Sequence, residues 1–193
     1  MQLFIKRFLD ILVSLILLIL ILPLWVILVV IIETTSPGRA IFMQKRTGLH
    51  GRTFVCYKFR TMYLNKEADT LQATCSDKRI TRIGGFLRRT SMDELPQLFN
   101  VLKGDMSLIG PRPHMLKHTE LYSQLIPNYM ERHRMRPGLT GYAQIKGLRG
   151  ETSELKQMQN RVEADLFYVE HFSLGLDMKI LWITAMKVLT LKL

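Results

Sequence analysis

Residues 11–32 read "ILVSLILLILILPLWVILVVII", twenty-two residues without a charge. Helix of that length covers a hydrocarbon core of about 30 Å, so the chain meets a bilayer near its N-terminus. A cleaved signal peptide is a poor match. The apolar run is too long for one, and no small-residue cleavage site precedes "ETTSPG" (33–38). Two features also argue against an ordinary spanning helix. Pro23 lies mid-run, where it removes a helical hydrogen bond and crowds the preceding turn, so a kink or break is expected. Basic residues flank both ends: Lys6 and Arg7 before, then Arg39, Lys45, Arg46 and Arg52 after. The positive-inside tendency draws both flanks to the cytoplasm. A helix that enters, bends at Pro23 and returns satisfies both features, each arm of roughly 10–15 residues reaching about 15–22 Å. Broken backbone in lipid is costly unless protein satisfies it. The residues alone leave the spanning and re-entrant forms open.

The chain of 193 residues carries a formal charge of +11. Residues 34–193 hold 25 Lys/Arg against 14 Asp/Glu, so they account for the whole surplus. Such a surplus points to an anionic partner: lipid headgroups, nucleic acid or a phosphorylated substrate. Cys56 and Cys75 lack metal-type spacing and read as free thiols of a reducing compartment.

"AIFMQKRTGLHGRTFVCYKFRTM" (40–62) reads as a β-hairpin with Gly48 and Gly51 bracketing the turn. Period two places Lys58 and Arg60 on one face, as a solvated edge or as cations aimed at phosphate. Residues 64–77 are polar and read as a loop or frayed helix. Residues 154–171 carry an apolar stripe at helical spacing, Leu155, Met158, Val162, Leu166 and Val169. The last segment, from Phe172, is apolar but holds Asp177, Lys179, Lys187 and Lys192, which suits an interfacial helix with Trp182 at headgroup level. A helix packed into the core is the competing reading. His114 and His118 lack a third ligand and an HExxH frame, so zinc is not expected.

The chemistry is concentrated in "TSMDELPQLFN" (90–100). Leu95, Leu98, Phe99 and Leu102 follow helical spacing, with Gly104 as the stop. Asp93 and Glu94 stand at the start of that helix. Ser91-x-x-Glu94 matches a capping box, and Asp93 is the alternative N-cap. Yet residues 39–90 hold twelve Lys/Arg and three acids. Capping explains one acid and the helix dipole accommodates the second, but neither explains the basic surroundings, so the residues leave capping and a catalytic pair both open. Downstream, Pro111-Arg112-Pro113 fixes the backbone on both sides of one arginine, and Arg136-Pro137-Gly138 repeats the theme. A guanidinium held this way suits bidentate phosphate binding, although a rigid turn with an exposed arginine is the simpler reading.

Taken in order, "IKRFLDI" (5–11), "YKFRTM" (57–62), "SMDELPQLFNVLKGDMSLIGPRP" (91–113), "RPGLTGYAQIKG" (136–147) and "DLFYVEHFSLGLDMKIL" (165–181) resemble the bacterial sugar transferase family, the small monotopic polyprenyl-phosphate phosphoglycosyl transferases. The resemblance runs over nearly the whole chain. It implies a mainly α fold with a small β-hairpin, a re-entrant helix over 1–36 broken near Pro23, and a cytoplasmic catalytic domain over 37–193 with membrane-interface helices. It implies residence at the bacterial inner membrane, with the catalytic domain on the cytoplasmic face. The implied reaction moves a sugar-1-phosphate from a UDP-sugar to polyprenyl (undecaprenyl) phosphate and releases UMP. By motif match Asp93 corresponds to the nucleophile and Glu94 to the carboxylate associated with Mg²⁺. Lys58, Arg60, Arg88, Arg112 and Arg136 are candidates for holding phosphate. A nucleophilic carboxylate must be ionised, and the helix N-terminus with its arginines is expected to lower the pKa of Asp93.

Two departures qualify the match. Leu22 stands where the family commonly places a serine before the proline, so the bend at Pro23 is held differently or is shallower. The chain also lacks the multi-span region of larger relatives and reads as a minimal catalytic unit. "GLRGET" (147–152) resembles the glucose-1-phosphate-transferring members that initiate exopolysaccharide synthesis, which points to UDP-glucose or another UDP-hexose. Expected partners are the UDP-sugar, the polyprenyl phosphate and membrane lipids, without nucleic acid; a homo-oligomer is compatible with the sequence. The rival class is a non-enzymatic, basic, membrane-anchored adapter that binds anionic lipid. A second enzymatic rival is direct transfer, with Asp93 on the metal and no covalent step.

Overall fold

The computed structural model describes residues 1–64, 77–150, 152 and 154–190. The polar stretch 65–76 and Cys75 within it lie outside the described residues. The chain opens with one long helix, α1 (Gln2–Thr35), which contains Pro23 and runs through it without interruption. The hairpin follows as β1 (Ile41–Thr47) and β2 (Thr53–Phe59), paired antiparallel across a 3₁₀ turn at Leu49–Gly51. Next come α2 (Arg82–Thr90), a 3₁₀ turn at Met92–Glu94, and α3 (Gln97–Lys103). Two short strands, β3 (Ser107–Ile109) and β4 (Gly138–Thr140), pair in parallel around α4 (Leu116–Leu125). The helices α5 (Tyr142–Ile145), α6 (Leu155–Glu170) and α7 (Leu174–Leu189) complete the described fold.

At 1.5 Å per residue α1 is about 51 Å long if straight. Its buried positions 6, 10, 14, 28 and 32 fall on one stripe at helical spacing. That stripe lies on the body along the whole helix. Val13, Leu18 and Ile21 pack on a core of Leu98, Val101, Met106 and Ile180. Leu24, Trp25 and Val29 sit beside a second core formed by Leu28, Ile32, Phe59 and Leu87. Trp25 meets the Phe59 and Phe99 rings at centroid distances of 4.8 and 5.4 Å. The opposite face stays exposed and apolar, with Phe8, Ile16, Leu20, Val26 and Val30 among its residues. Exposed apolar area of this extent marks a membrane or protein contact surface.

Lys6 and Arg7, which read as topology-setting flanks, have a structural role as well. Lys6 pairs with Asp177 of α7 at 2.7 Å, and Tyr168 Oη donates to the other Asp177 oxygen at 2.8 Å. Arg7 donates to the Val101 and Leu102 carbonyls at 2.6 and 3.0 Å, satisfying the C-terminal end of α3. Asp10 accepts from the Leu108 amide at 3.1 Å. The far end of α1 is held by Arg60, whose guanidinium donates to the Ser36, Pro37 and Gly38 carbonyls.

α7 packs one face on the core, as the competing sequence reading has it, and leaves another face exposed. Asp177 and Ile180 are buried, whereas Met178 and Trp182 stand out, Trp182 at 68% exposure. Gly84 explains how α2 reaches the hairpin. A Cβ there would lie 2.0 Å from the Thr61 carbonyl oxygen, so only glycine permits the approach.

Candidate functional site

Asp93 and Glu94 occupy the 3₁₀ turn between α2 and α3, and neither caps a helix. Ser91 takes the left-handed conformation (φ 56°) that ends α2, and its side chain makes no cap bond. The N-terminus of α3 falls at Pro96, again without a side-chain cap. The capping explanation of the acidic pair therefore fails, and the carboxylates are left for other chemistry.

Glu94 is held from two sides. Lys58 Nζ donates to Oε1 at 2.8 Å. The Arg112 fork donates to Oε1 at 2.6 Å and to Oε2 at 3.2 Å. Burial alone would raise its pKa, but Arg112 and Lys58 outweigh that and hold the carboxyl well below the usual carboxylate range. Asp93 differs. It is 8% exposed and makes no hydrogen bond or ion pair to the described residues. Burial pushes its pKa up, and the neighbouring Glu94 charge adds to the rise against Lys58, Arg112 and Arg88. The depression expected from a helix N-terminus is reversed here, because a single 3₁₀ turn offers little dipole and desolvation dominates.

Three devices set this geometry. Asn100, fully buried on α3, accepts from the Tyr57 amide at 3.0 Å and donates to the Val55 carbonyl at 2.6 Å, which binds β2 to α3 and brings Lys58 opposite Glu94. The Pro111–Pro113 turn is held by Arg46, which donates to the Pro113 carbonyl at 3.0 Å, and by Arg132, which donates to the Arg112 carbonyl at 2.7 Å. Arg132 is in turn paired with buried Asp165. Arg88 donates to Thr61 Oγ1 at 2.9 Å, and its charge acts on Asp93.

The sequence candidates thus divide. Lys58, Arg88 and Arg112 surround the acidic pair. Arg60 and Arg136 do not join it. Arg60 is the clamp on α1, its position just past β2 turning it from the path of Lys58. Arg136 donates to the Gly104 carbonyl at 3.0 Å and closes the end of α3. Sequence reasoning missed Arg149, which donates to Ser91 Oγ at 2.5 Å and whose charge reaches Glu94. Its signal was Gly147-x-Arg149-Gly150: both glycines have positive φ and fold the loop back over the site. Four cations face two carboxylates, a net positive field suited to a diphosphate. His114, just before α4, is buried with Nδ1 on Tyr129 Oη at 2.6 Å.

The donor set also suits Mg²⁺. Glu94 Oε1 has two partners, but Oε2 has one and keeps a lone pair, and both Asp93 oxygens are unengaged. Among the described residues no cluster of three His, Cys, Asp or Glu surrounds them. Mg²⁺ commonly takes one or two carboxylates and completes its shell with water and phosphate oxygens. Beside the pair lies an apolar groove of about 570 Å³, lined by Trp25, Ile41, Tyr57, Pro96, Phe99 and Leu102, with Lys103 at its edge.

The model of the family described as "Bacterial sugar transferase" matches residues 1–191. The chain belongs to the bacterial sugar transferase family. Among curated relatives of this sugar transferase, the UDP-glucose:undecaprenyl-phosphate glucose-1-phosphate transferase of Klebsiella pneumoniae is 49% identical over 94% of the chain and 39% of the relative. The protein of the same name in Escherichia coli strain K12 is 47% identical over the same shares. The "Exopolysaccharide production protein PSS" of Rhizobium leguminosarum is 44% identical over 98% of both chains. The chain thus spans about two fifths of the length of the first two relatives.

Proposed function

We propose that this sugar transferase moves a sugar-1-phosphate from a UDP-sugar to a polyprenyl phosphate at the cytoplasmic face of the bacterial inner membrane. The observation that carries the reading is Asp93: a buried, unpartnered carboxylate ringed by cations, beside a Glu94 that those cations already hold. A stability role leaves such a group unexplained, since an unpaired buried carboxylate is destabilising. A nucleophile needs it free.

The steps follow from the residues. Arg112, Lys58, Arg88 and Arg149 bind the diphosphate and offset its charge, so that an anion can approach it. An oxygen of ionised Asp93 attacks the β-phosphorus, the bond from that phosphorus to the bridging oxygen breaks, and UMP leaves with the bond's electron pair. An aspartyl phosphosugar remains. A phosphate oxygen of the lipid then attacks the same phosphorus, the bond to Asp93 breaks, and a polyprenyl-diphosphate-sugar forms while the carboxylate is restored. Glu94, through Oε2, would hold Mg²⁺, which when bound neutralises phosphate charge and strengthens UMP as a leaving group. With substrate phosphates on Lys58 and Arg112, their grip on Glu94 would be shared, which would leave its carboxylate freer to act as a ligand.

The groove beneath Trp25 and Phe99 is continuous with α1 and begins two residues from Glu94, so it suits the acceptor's hydrocarbon chain. α1 then lies along the membrane surface, with one face on the body and the other in lipid. A helix that stood across a bilayer would not keep its full length against a domain rich in Lys and Arg.

UDP-glucose is the proposed donor, on the names of the Klebsiella and Escherichia relatives. A UDP-N-acetylgalactosamine-undecaprenyl-phosphate N-acetylgalactosaminephosphotransferase of Aeromonas hydrophila is also 44% identical. The test is UMP release by the purified full chain with undecaprenyl phosphate, Mg²⁺ and a panel of UDP-sugars. UDP-glucose should give the highest rate, and a phosphosugar should be trapped on the protein when acceptor is omitted. Turnover without any trapped adduct would select direct transfer instead, and no release with any sugar would remove the enzymatic reading.

A further inference from the structure

A second basic feature lies at the C-terminal end of α1, on a face of α2 other than the one that carries Arg88. Along α2, Arg82, Phe86 and Arg89 are spaced i, i+4 and i+7 and share one exposed face. They line a pocket of about 420 Å³ with Ile31 and Thr35 of α1 and the side chains of Tyr63 and Thr81. Among the described residues no acidic side chain lines it.

Among the described residues both arginines are uncommitted. Neither makes a hydrogen bond or ion pair to the described residues, whereas Arg7, Arg60, Arg88, Arg112, Arg132 and Arg136 are each bonded to a carbonyl, a hydroxyl or a carboxylate. Arg89 also folds back along α2. Its Nη1 lies 3.7 Å from where a Cβ at Gly85 would sit, which directs the guanidinium towards the turn that carries Arg82. The missing side chain at Gly85 leaves room for this.

The height of the pocket is set by α1. Val26, Ile27 and Val30 are exposed and apolar immediately before Ile31 and Thr35, and Phe86 is exposed between the two arginines. The apolar surface therefore gives way to the guanidiniums within one helical turn, which is the position of a headgroup phosphate beside acyl chains. We infer that this pocket binds the phosphate of an anionic phospholipid, with Arg82 and Arg89 on the phosphate and Phe86 and Ile31 against the upper acyl chains. Inorganic phosphate shares the anionic chemistry but has no use for the apolar wall. The inference goes beyond the proposed transfer reaction and stands without it.

The test uses the full chain in nanodiscs of mixed phosphatidylcholine and phosphatidylglycerol. After transfer to detergent, the two lipids retained on the protein are quantified by mass spectrometry. Each cation near an anionic surface is worth roughly fivefold in partition, so Arg82→Gln with Arg89→Gln should lower the retained phosphatidylglycerol ratio about twenty-five-fold. Arg52→Gln with Arg134→Gln removes equal charge elsewhere and should leave the ratio unchanged. Both pairs are exposed, and matched thermal unfolding checks the fold. Arg82→Lys with Arg89→Lys should restore part of the retention. An equal fall in both glutamine pairs would mean diffuse attraction and overturn the site. Full displacement of the lipid by millimolar inorganic phosphate would overturn it in favour of a free-phosphate site.

Discussion

Arg132 donates to the backbone carbonyl of Arg112 at 2.7 Å, so a buried guanidinium fixes the turn from which another guanidinium reaches Glu94. Arg132 is itself held by Asp165, and both side chains are 1% exposed. Removing one partner of a buried pair leaves an uncompensated charge and costs about 3–5 kcal/mol. Asp165→Asn should lower the thermal midpoint accordingly and also reduce UMP release at temperatures where the protein is still folded. Loss of stability with full activity would show that the pair does not position Arg112.

Asp93→Asn should separate function from stability. The native carboxylate is buried, lacks a partner and has a raised pKa. An uncharged isostere should therefore leave the thermal midpoint equal or higher, while UMP release falls by roughly a thousandfold or more. A clear drop in stability would mean that Asp93 has a structural partner.

The two carboxylates predict opposite responses to acid. Asp93 must be ionised to attack, and its pKa is raised, so kcat/KM should fall as pH drops through a midpoint above the ordinary aspartate value. For stability, a group with raised folded pKa contributes most when protonated, so the Asp93 contribution is lost as pH rises through that pKa. Glu94 is depressed, so its contribution is present above the unfolded pKa and lost as pH falls through the folded one. Glu94→Gln should remove this acid-sensitive part from a stability–pH curve. A pH–rate profile flat down to the usual aspartate range would contradict the burial of Asp93.

Arg7 predicts a local effect. Arg7→Ala withdraws donors from the Val101 and Leu102 carbonyls, and hydrogen bonds to charged groups are worth about 1.5–3 kcal/mol. Amide exchange should speed up in the last turn of α3 and the first turns of α1, with the hairpin unchanged. Uniform acceleration over the chain would mean that the contact is global.

The lie of α1 is open to labelling. Gln2→Cys and Thr35→Cys, placed at its two ends, should both react with an impermeant maleimide in inside-out membrane vesicles and be protected in intact spheroplasts. With Cys75 replaced by serine, buried Cys56 supplies little background, its thiol being shielded and its pKa raised by burial. Labelling of the two ends from opposite sides would show a spanning helix.

Much of this molecule was legible before its fold was known, and the remainder has physical causes. The hairpin and its turn followed from alternation and two glycines, and the α3 stop at Gly104 (φ 92°) followed from the need for a left-handed residue. The acidic pair stood out against a basic background. The arginines were harder to sort. Arg60 and Arg112 are chemically identical, and nothing local says that one will clamp carbonyls while the other meets a carboxylate. That choice depends on which backbone ends arrive nearby, a tertiary fact. Arg149 escaped for the same reason, since its partner Ser91 lies 58 residues away. The buried Lys6 and Asp10 were hidden by an apolar run that dominates any local average.

Arg60 carries a last consequence. Because both terminal nitrogens of its guanidinium are bonded to the carbonyls that end α1, and because Leu28 and Ile32 share a core with Phe59 and Leu87, the greasy segment is an integral part of the fold. Protein engineers who prune residues 1–36 in search of a water-soluble form would strand an unmatched cation and open a hole in the interior. Any transplanted anchor would have to bring replacement oxygens and matching bulk.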